Sequence, residues 1–154
     1  MMNLSSDVIT RLQGKTLATA ESLTGGSIGA ALTAVSGSSA VFKGGIISYC
    51  NEIKHHVLGV DQNLLDTIGA VSAPVAEAMA EGARKMLNAD IAVSATGLAG
   101  PGGDEFGNPV GTVYIGYSDN QTTFAREFRF SGSREDVRKQ SVKAALTIIL
   151  EQNR

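Results

Sequence analysis

The sequence predicts an α/β protein: a single three-layer α/β/α domain over residues 1–154, with a mixed, mostly parallel sheet. Short apolar segments typical of strands alternate with helical segments as far as residue 96. Two further strand segments joined by a short turn follow, which indicates a hairpin and therefore some antiparallel pairing. A length of 154 residues fits one domain, and 43% hydrophobic residues can form a core without disulfides or metal.

The first half of the chain predicts a helix, a strand, a second helix and a second strand. The apolar residues of the first helix fall on one face, and Ser5 or Ser6 is a suitable N-cap. The second helix contains many small residues, which allow close packing on a sheet. The four elements are expected at residues 5–13, 16–20, 26–35 and 44–49.

Two helices of at most two turns come next, and then the clearest helix of the chain, at residues 73–88. Ser72 is its natural N-cap, Pro74 lies in its first turn, and an apolar stripe includes Met79 and Met86. Ser133 is expected to cap the last helix, which ends near residue 151. The remaining elements are a buried strand at 90–96 and the hairpin strands at 112–118 and 122–130.

Composition argues against several classes of protein. The net charge is −2 and the basic residues are scattered, so no nucleic-acid or membrane-surface patch is expected. No apolar run reaches the roughly 18 residues that a membrane span needs, and the N-terminal residues lack a signal-peptide pattern. The lone Cys50 suits a reducing compartment. We therefore expect a soluble cytoplasmic protein that binds neither nucleic acid nor membrane; homo-oligomer formation is left open.

Three polar loops follow predicted parallel strands, at residues 20–26, 49–54 and 96–104. Ligands of open α/β sheets bind outside the carboxyl ends of the strands. The three loops therefore point to one cleft.

The first loop places Ser22 where a strand turns into a helix. A serine there commonly caps the helix, but Thr24 is also available as a cap. The alternative is a nucleophile, with amides around residues 24–26 at the helix start to stabilise an oxyanion.

The third loop is rich in glycine, at positions 97, 100, 102, 103, 107 and 111. It matches neither the Walker pattern nor a dinucleotide fingerprint, although the amides of Gly100 to Gly103 could approach a nucleotide closely. Arg134 and Arg138, at the start of the last helix, either form ion pairs with nearby carboxylates or hold an anion. Asp104 and Glu105 are adjacent, but no cluster has the spacing of metal ligands, so we expect no metal and no cofactor.

Five motifs in order, TAESLTGG, GGIISYCNEIKHHVLGV, GAVS, SATGLAGPGG and GTVYIGY, closely resemble the CinA C-terminal domain family. This family includes the stand-alone PncC nicotinamide-nucleotide amidohydrolases, and the match runs from about residue 16 to the last helix. The resemblance implies an α/β/α fold and hydrolysis of the carboxamide of nicotinamide mononucleotide (NMN) to nicotinate mononucleotide and ammonia. It also implies a serine nucleophile assisted by a lysine and a tyrosine, without metal, which correspond to Ser22, Lys54 and Tyr49.

The same motifs supply the expected substrate-binding residues Glu21, Thr24, Gly25, Gly26, Thr96, Gly97, Gly100, Gly102 and Gly103. Arg134, at the start of the last helix, is expected to join them as an anion contact. Family sequences usually read Ala-Glu-Ser-Cys-Thr-Gly-Gly, and Leu23 here takes the place of the cysteine. The alternative function is accordingly a catalytically inactive family copy that acts as a nucleotide-binding module.

A serine hydroxyl needs a base. His55 and His56 are the only histidines, and they are as readily explained by a solvated helix face. Lys54 can act as a base only if a dry cleft lowers its pKa, since a free lysine titrates near 10.4. An ionised Glu21 beside the amine would oppose this. The lysine-base hypothesis therefore predicts that Glu21 binds a backbone amide or Thr24 more closely than Lys54.

Overall fold

The computed structural model describes residues 2–154 and contains one five-stranded sheet, in the order β2-β1-β3-β4-β5. The three strands β1, β2 and β3 are mutually parallel, and β4 and β5 form an antiparallel hairpin beside β3. The strands are β1 Leu17–Glu21, β2 Phe42–Ile47, β3 Ile91–Gly97, β4 Thr112–Ser118 and β5 Thr123–Arg129. The fold is therefore the predicted mixed α/β/α arrangement.

Six α-helices and one 3₁₀ turn connect and cover the strands. They are α1 Met2–Arg11, α2 Ser27–Thr33, the 3₁₀ turn Ser38–Ala40, α3 Asn51–His56, α4 Gln62–Thr67, α5 Ala73–Met86 and α6 Arg134–Gln152. Of the described residues, none lies in a helix long and apolar enough to cross a membrane.

Successive residues of the strands enter two separate cores, because side chains alternate between the faces of a sheet. Leu17 of β1 packs with residues of α1, α2 and α6 on one face. The next residue, Ala18, packs with α4 and α5 on the other. The three layers follow directly from this alternation.

Several sequence predictions needed correction, among them the start of two elements and the burial of one residue. The first helix begins at Met2 and not at residue 5, because Leu4 packs against the core and Ser5 lies buried inside the helix. Met86 is not part of the buried stripe of α5; it is 56% exposed in the last turn, beyond Met79. The second strand begins two residues early, at Phe42, which pairs with Leu17.

Two predicted caps are at the expected positions and differ in chemistry. Ser133 caps α6 through a reciprocal capping box with Asp136. Ser72 precedes α5, but its hydroxyl donates to the Gly69 carbonyl at 3.0 Å instead of capping the helix.

Candidate active site

One cavity of about 450 Å³ lies at the carboxyl ends of the three parallel strands. The loops that follow β1, β2 and β3 all reach it, as the sequence predicts, and the start of α6 closes one side. Its lining includes Ser22, Leu23, Tyr49, Asn51, Lys54, Ala70, Val71, Thr96, Gly97, Leu98, Ala99, Gly100, Gly102, Asp104, Glu105, Phe106 and Arg134.

Ser22 is held immediately after β1. Its amide donates to the Ala95 carbonyl of β3 at 2.9 Å, which extends the strand pairing by one residue. The residue at the N-cap of α2 is Gly26, which has no side chain, and the first amides of the helix donate to the Glu21 carboxylate and not to Ser22. Ser22 is therefore not a helix cap. The residue is 7% exposed and lines the cavity, so its hydroxyl is available to a molecule bound there.

Lys54 meets that hydroxyl from the loop after β2. Its residue is only 2% exposed, and Nζ lies 3.0 Å from Ser22 Oγ. The amine also donates to the backbone carbonyls of Ser48 at 2.9 Å and Tyr49 at 3.4 Å. All these partners are neutral, so no carboxylate holds the side chain in its charged form.

Burial lowers the pKa of Lys54 to about 8, because removing an ammonium from water disfavours its charged form. Cys50 acts in the opposite direction and is the smaller effect. A lysine with this pKa is neutral in a substantial fraction of molecules near physiological pH. Its nitrogen lone pair can then accept the Ser22 proton across the existing contact.

Glu21 does not line the cavity. It is 2% exposed, and its carboxylate accepts hydrogen bonds from the Thr24 hydroxyl and the Ile28 amide, both at 2.8 Å. The Gly29 amide at 3.0 Å and the Thr19 hydroxyl at 3.2 Å complete the set. The prediction that Glu21 binds an amide or Thr24 in preference to Lys54 is confirmed.

Tyr49 and Arg134 meet at the rim of the cavity. Arg134 donates from Nη1 to the Gly100 carbonyl at 2.6 Å and from Nη2 to the Tyr49 hydroxyl at 3.2 Å. The tyrosine is 64% exposed. Lys54 contacts its backbone carbonyl, and the phenol hydroxyl is not among the hydrogen-bond partners of the amine. Tyr49 thus borders the site beside an arginine.

The structure brings together eight of the residues predicted for the site and leaves five aside. Ser22, Tyr49, Lys54, Thr96, Gly97, Gly100, Gly102 and Arg134 line the cavity; Glu21, Thr24, Gly25, Gly26 and Gly103 do not. Thr24 is completely buried, and its hydroxyl donates to the Glu21 carboxylate. Gly103 backs onto the Asn108 carbonyl, which would lie 2.7 Å from a Cβ at that position.

Part of the lining was not predicted from the sequence. Phe106 packs over Gly69, where an added Cβ would lie 2.5 Å from its ring, and both residues are distant in sequence from Ser22 and Lys54. Asn51 and Val71 were also not predicted as site residues, and Glu105 was considered only as a metal ligand. The motif GAVS, at residues 69–72, was the available signal for this wall of the cavity.

The two histidines are not placed to act on Ser22. Neither lines the cavity, and His55 is instead bonded through Nδ1 to the Val60 carbonyl at 2.7 Å. Within residues 2–154 there is no group of three or more His, Cys, Asp or Glu side chains that could hold a metal ion.

The fold and the cavity define a class: an α/β/α protein with a buried serine–lysine pair at the carboxyl edge of its parallel strands. The CinA C-terminal domain model matches residues 2–153, and the chain belongs to that family. Both statements agree with the resemblance carried by the motifs.

Solved structures share the fold over nearly the whole chain. A CinA superfamily protein from Escherichia coli is 34% identical, with a TM-score of 0.95 over 98% of this chain and 89% of that chain. A competence/damage inducible protein from Agrobacterium tumefaciens is 38% identical, with a TM-score of 0.96 over 99% and 95% of the two chains.

Curated relatives are longer. A CinA-like protein of Endomicrobium trichonymphae is 47% identical over 88% of this chain and 32% of its own length. For a CinA-like protein of Synechococcus sp. (strain RCC307) the identity is also 47%, over 96% of this chain and 36% of the relative. The chain thus spans about a third of the length of these relatives.

Proposed function

We propose that this chain is an amidohydrolase that converts NMN and water to nicotinate mononucleotide and ammonia. The observation that carries the proposal is the 3.0 Å contact between Ser22 Oγ and a lysine amine that has neutral partners, at the wall of a cavity. A cavity of about 450 Å³ is within the range of small-molecule sites. The family resemblance supplies the substrate.

In the first half-reaction, neutral Lys54 takes the Ser22 proton as Oγ attacks the carboxamide carbon. The new C–O bond pushes the carbonyl electron pair onto oxygen, where amides of the turn after Ser22 that have no other acceptor stabilise it. The intermediate collapses, the C–N bond breaks, and the lysine proton leaves with ammonia. An ester of Ser22 remains.

In the second half-reaction, Lys54 removes a proton from water as the water oxygen attacks the ester. Collapse of this intermediate breaks the bond to Ser22 Oγ, which recovers the proton from Lys54. The product is nicotinate mononucleotide. Arg134, at the rim, supplies a positive charge for the phosphate of the nucleotide.

A nucleotide-binding module without turnover is the competing function, and Leu23 is the observation that favours it. Leu23 is 4% exposed and replaces the usual cysteine beside the nucleophile. Its side chain packs with the core that includes Ile28, so the substitution keeps the turn packed. The proposed mechanism uses no thiol at this position.

Ammonia and nicotinate mononucleotide, measured together after addition of NMN to the purified protein, distinguish the two functions. We expect equal molar amounts of both products, and the same rate after treatment with EDTA because the proposed steps use no metal. NMN that binds, as measured by calorimetry, and is returned unchanged would establish the binding module instead.

The pH dependence follows from the lowered pKa of Lys54. Only the neutral amine is a base, so kcat/KM should rise about tenfold per pH unit below pH 8 and level off above it. At pH 7 about a tenth of the lysine is neutral. Initial rates at low NMN concentration between pH 6 and 9.5 give the profile; a rate that is flat across this range would contradict the lysine base.

The same pKa predicts how folding stability changes with pH. An unfolded lysine holds its proton up to about pH 10.4, whereas folded Lys54 releases it near 8, so the unfolded state binds more protons between these values. Stability should therefore increase as pH rises through this window, by about 2–3 kcal/mol relative to Lys54→Met. Urea unfolding of both proteins at pH 7.5 and 10.5 measures this difference; an equal change in both would contradict it.

A further inference from the structure

The turn that carries Ser22 is held by a side chain from the far end of the sequence. Arg138 of α6 donates from Nε to the Leu23 carbonyl at 3.0 Å and from Nη2 to the Thr24 carbonyl at 3.2 Å. One guanidinium thus binds two successive peptide groups.

Those two bonds determine where the amides of the turn point, because a trans peptide directs its N–H opposite to its carbonyl. The Leu23 carbonyl faces Arg138, so the Thr24 N–H on the same peptide faces away from it. The next peptide is fixed likewise, and its Gly25 N–H donates back to the Ser22 carbonyl at 3.1 Å.

The amides of Leu23 and Thr24 remain without an acceptor among residues 2–154. They directly follow the proposed nucleophile, and Leu23 itself lines the cavity. The Gly25 amide, which the sequence suggested as an oxyanion donor, already donates to the Ser22 carbonyl. The free donors next to the nucleophile are therefore the amides of Thr24, which was expected, and of Leu23, which lies just before the expected range of residues 24–26.

Glu21 holds the same turn from another side. Its carboxylate binds the Thr24 hydroxyl and the first amides of α2, including that of Ile28. Arg138 and Glu21 therefore restrain Thr24 through different atoms, the carbonyl and the hydroxyl. A hydrogen bond from a cation to a carbonyl also polarises the peptide, which makes its N–H a stronger donor.

We propose that Arg138 is a positioning residue for the reaction proposed above: its guanidinium aligns amides of the turn to receive the oxyanion that forms when Ser22 attacks the amide. It orients the Thr24 amide directly, through the Leu23 carbonyl. It orients the Leu23 amide indirectly, because the second peptide it binds carries the Gly25 N–H that donates to the Ser22 carbonyl. The inference rests on that proposed function. Arg138 is not itself one of the residues that line the cavity, and it is not a hydrogen-bond partner of Lys54, so it acts through the two peptides.

Substitution tests this role. Arg138→Met should lower kcat for NMN by about 10–100-fold, because misaligned donors lose part of the stabilisation that oxyanion donors supply. KM should stay within about threefold, and the pH profile should keep its midpoint near 8, since Lys54 is unaffected. Arg138→Lys, which can still reach one carbonyl, should recover most of the loss.

Lys139→Met is the matched control, since Lys139 is the next residue of α6 and its exposed amine pairs only with Glu135. We expect it to retain wild-type kcat. Thermal unfolding of each variant separates loss of alignment from loss of the fold. If Arg138→Met unfolds, Arg138→Lys provides the comparison. A folded Arg138 variant with kcat within twofold of wild type would overturn the proposal.

Labelling by a fluorophosphonate probe separates this inference from the choice of substrate, because the probe reacts with an activated serine in the absence of NMN. We expect slower labelling of Ser22 in Arg138→Met than in wild type. If the probe labels the wild type but the protein releases no ammonia from NMN, then NMN is not the substrate, and the proposed role of Arg138 is unaffected. No labelling of wild-type Ser22 would overturn both proposals.

Discussion

Ser22→Ala is expected to reduce kcat for NMN by at least about 1,000-fold, because the substitution removes the atom that forms the ester. The fold should survive. Ser22 caps no helix, and its backbone bond to Ala95 does not need the side chain. The loss of the Oγ contact to Lys54 should cost about 1 kcal/mol of unfolding free energy.

Ser36→Ala is a suitable control for this variant, since Ser36 is exposed and lies outside the cavity. Ammonia release and urea unfolding should be measured on both variants. A rate for Ser22→Ala within a few-fold of wild type, in a protein that remains folded, would remove Ser22 as the nucleophile.

Lys54→Arg is expected to be nearly as damaging, with kcat lower by about 1,000-fold across pH 6 to 9.5. The guanidinium keeps a positive charge close to Ser22 but cannot lose its proton in this range, so it cannot act as a base. The rise in rate near pH 8 should disappear with it. This absence of a pH limb distinguishes loss of the base from loss of alignment.

Lys43→Arg is the matched control for the same change at an exposed lysine, which bonds only the Asn88 carbonyl. Since arginine is the larger side chain and Lys54 is buried, Lys54→Met serves as a second variant that fits the same space. Wild-type turnover in either Lys54 variant would contradict the lysine-base mechanism and would mean that a different group is the base.

The serine–lysine pair was predictable from sequence only in part. Parallel strands bring the loops after β1 and β2 to one edge, and that argument alone placed Ser22 and Lys54 in the same cleft. The 3.0 Å contact depends on where α3 begins, after Cys50, which periodicity over so short a helix does not define. The family resemblance supplied the pairing.

The position of Glu21 shows where residue type misleads. A carboxylate next to a proposed nucleophile suggested a substrate contact, yet its side chain points along β1 into the start of α2 and is saturated there. The lysine-base mechanism requires that no carboxylate pairs with Lys54. This requirement predicted the position of Glu21 better than the motif did.

Arg138 lies more than a hundred residues from the turn that it binds, and its two acceptors are main-chain carbonyls. Every residue has a main-chain carbonyl, so a sequence does not indicate which carbonyls a side chain will bind. The local pattern at the start of α6 suggested ion pairs or anion contact for both arginines, and only the packing of α6 beside the turn separates the roles of Arg134 and Arg138.

Interception of the ester tests the central claim, that Ser22 forms a covalent acyl intermediate with NMN. Hydroxylamine added during turnover competes with water for such an ester. We expect the hydroxamic acid of nicotinate mononucleotide to appear at the expense of the free acid, and Ser22→Ala to form neither product. Undiminished consumption of NMN by Ser22→Ala would contradict it.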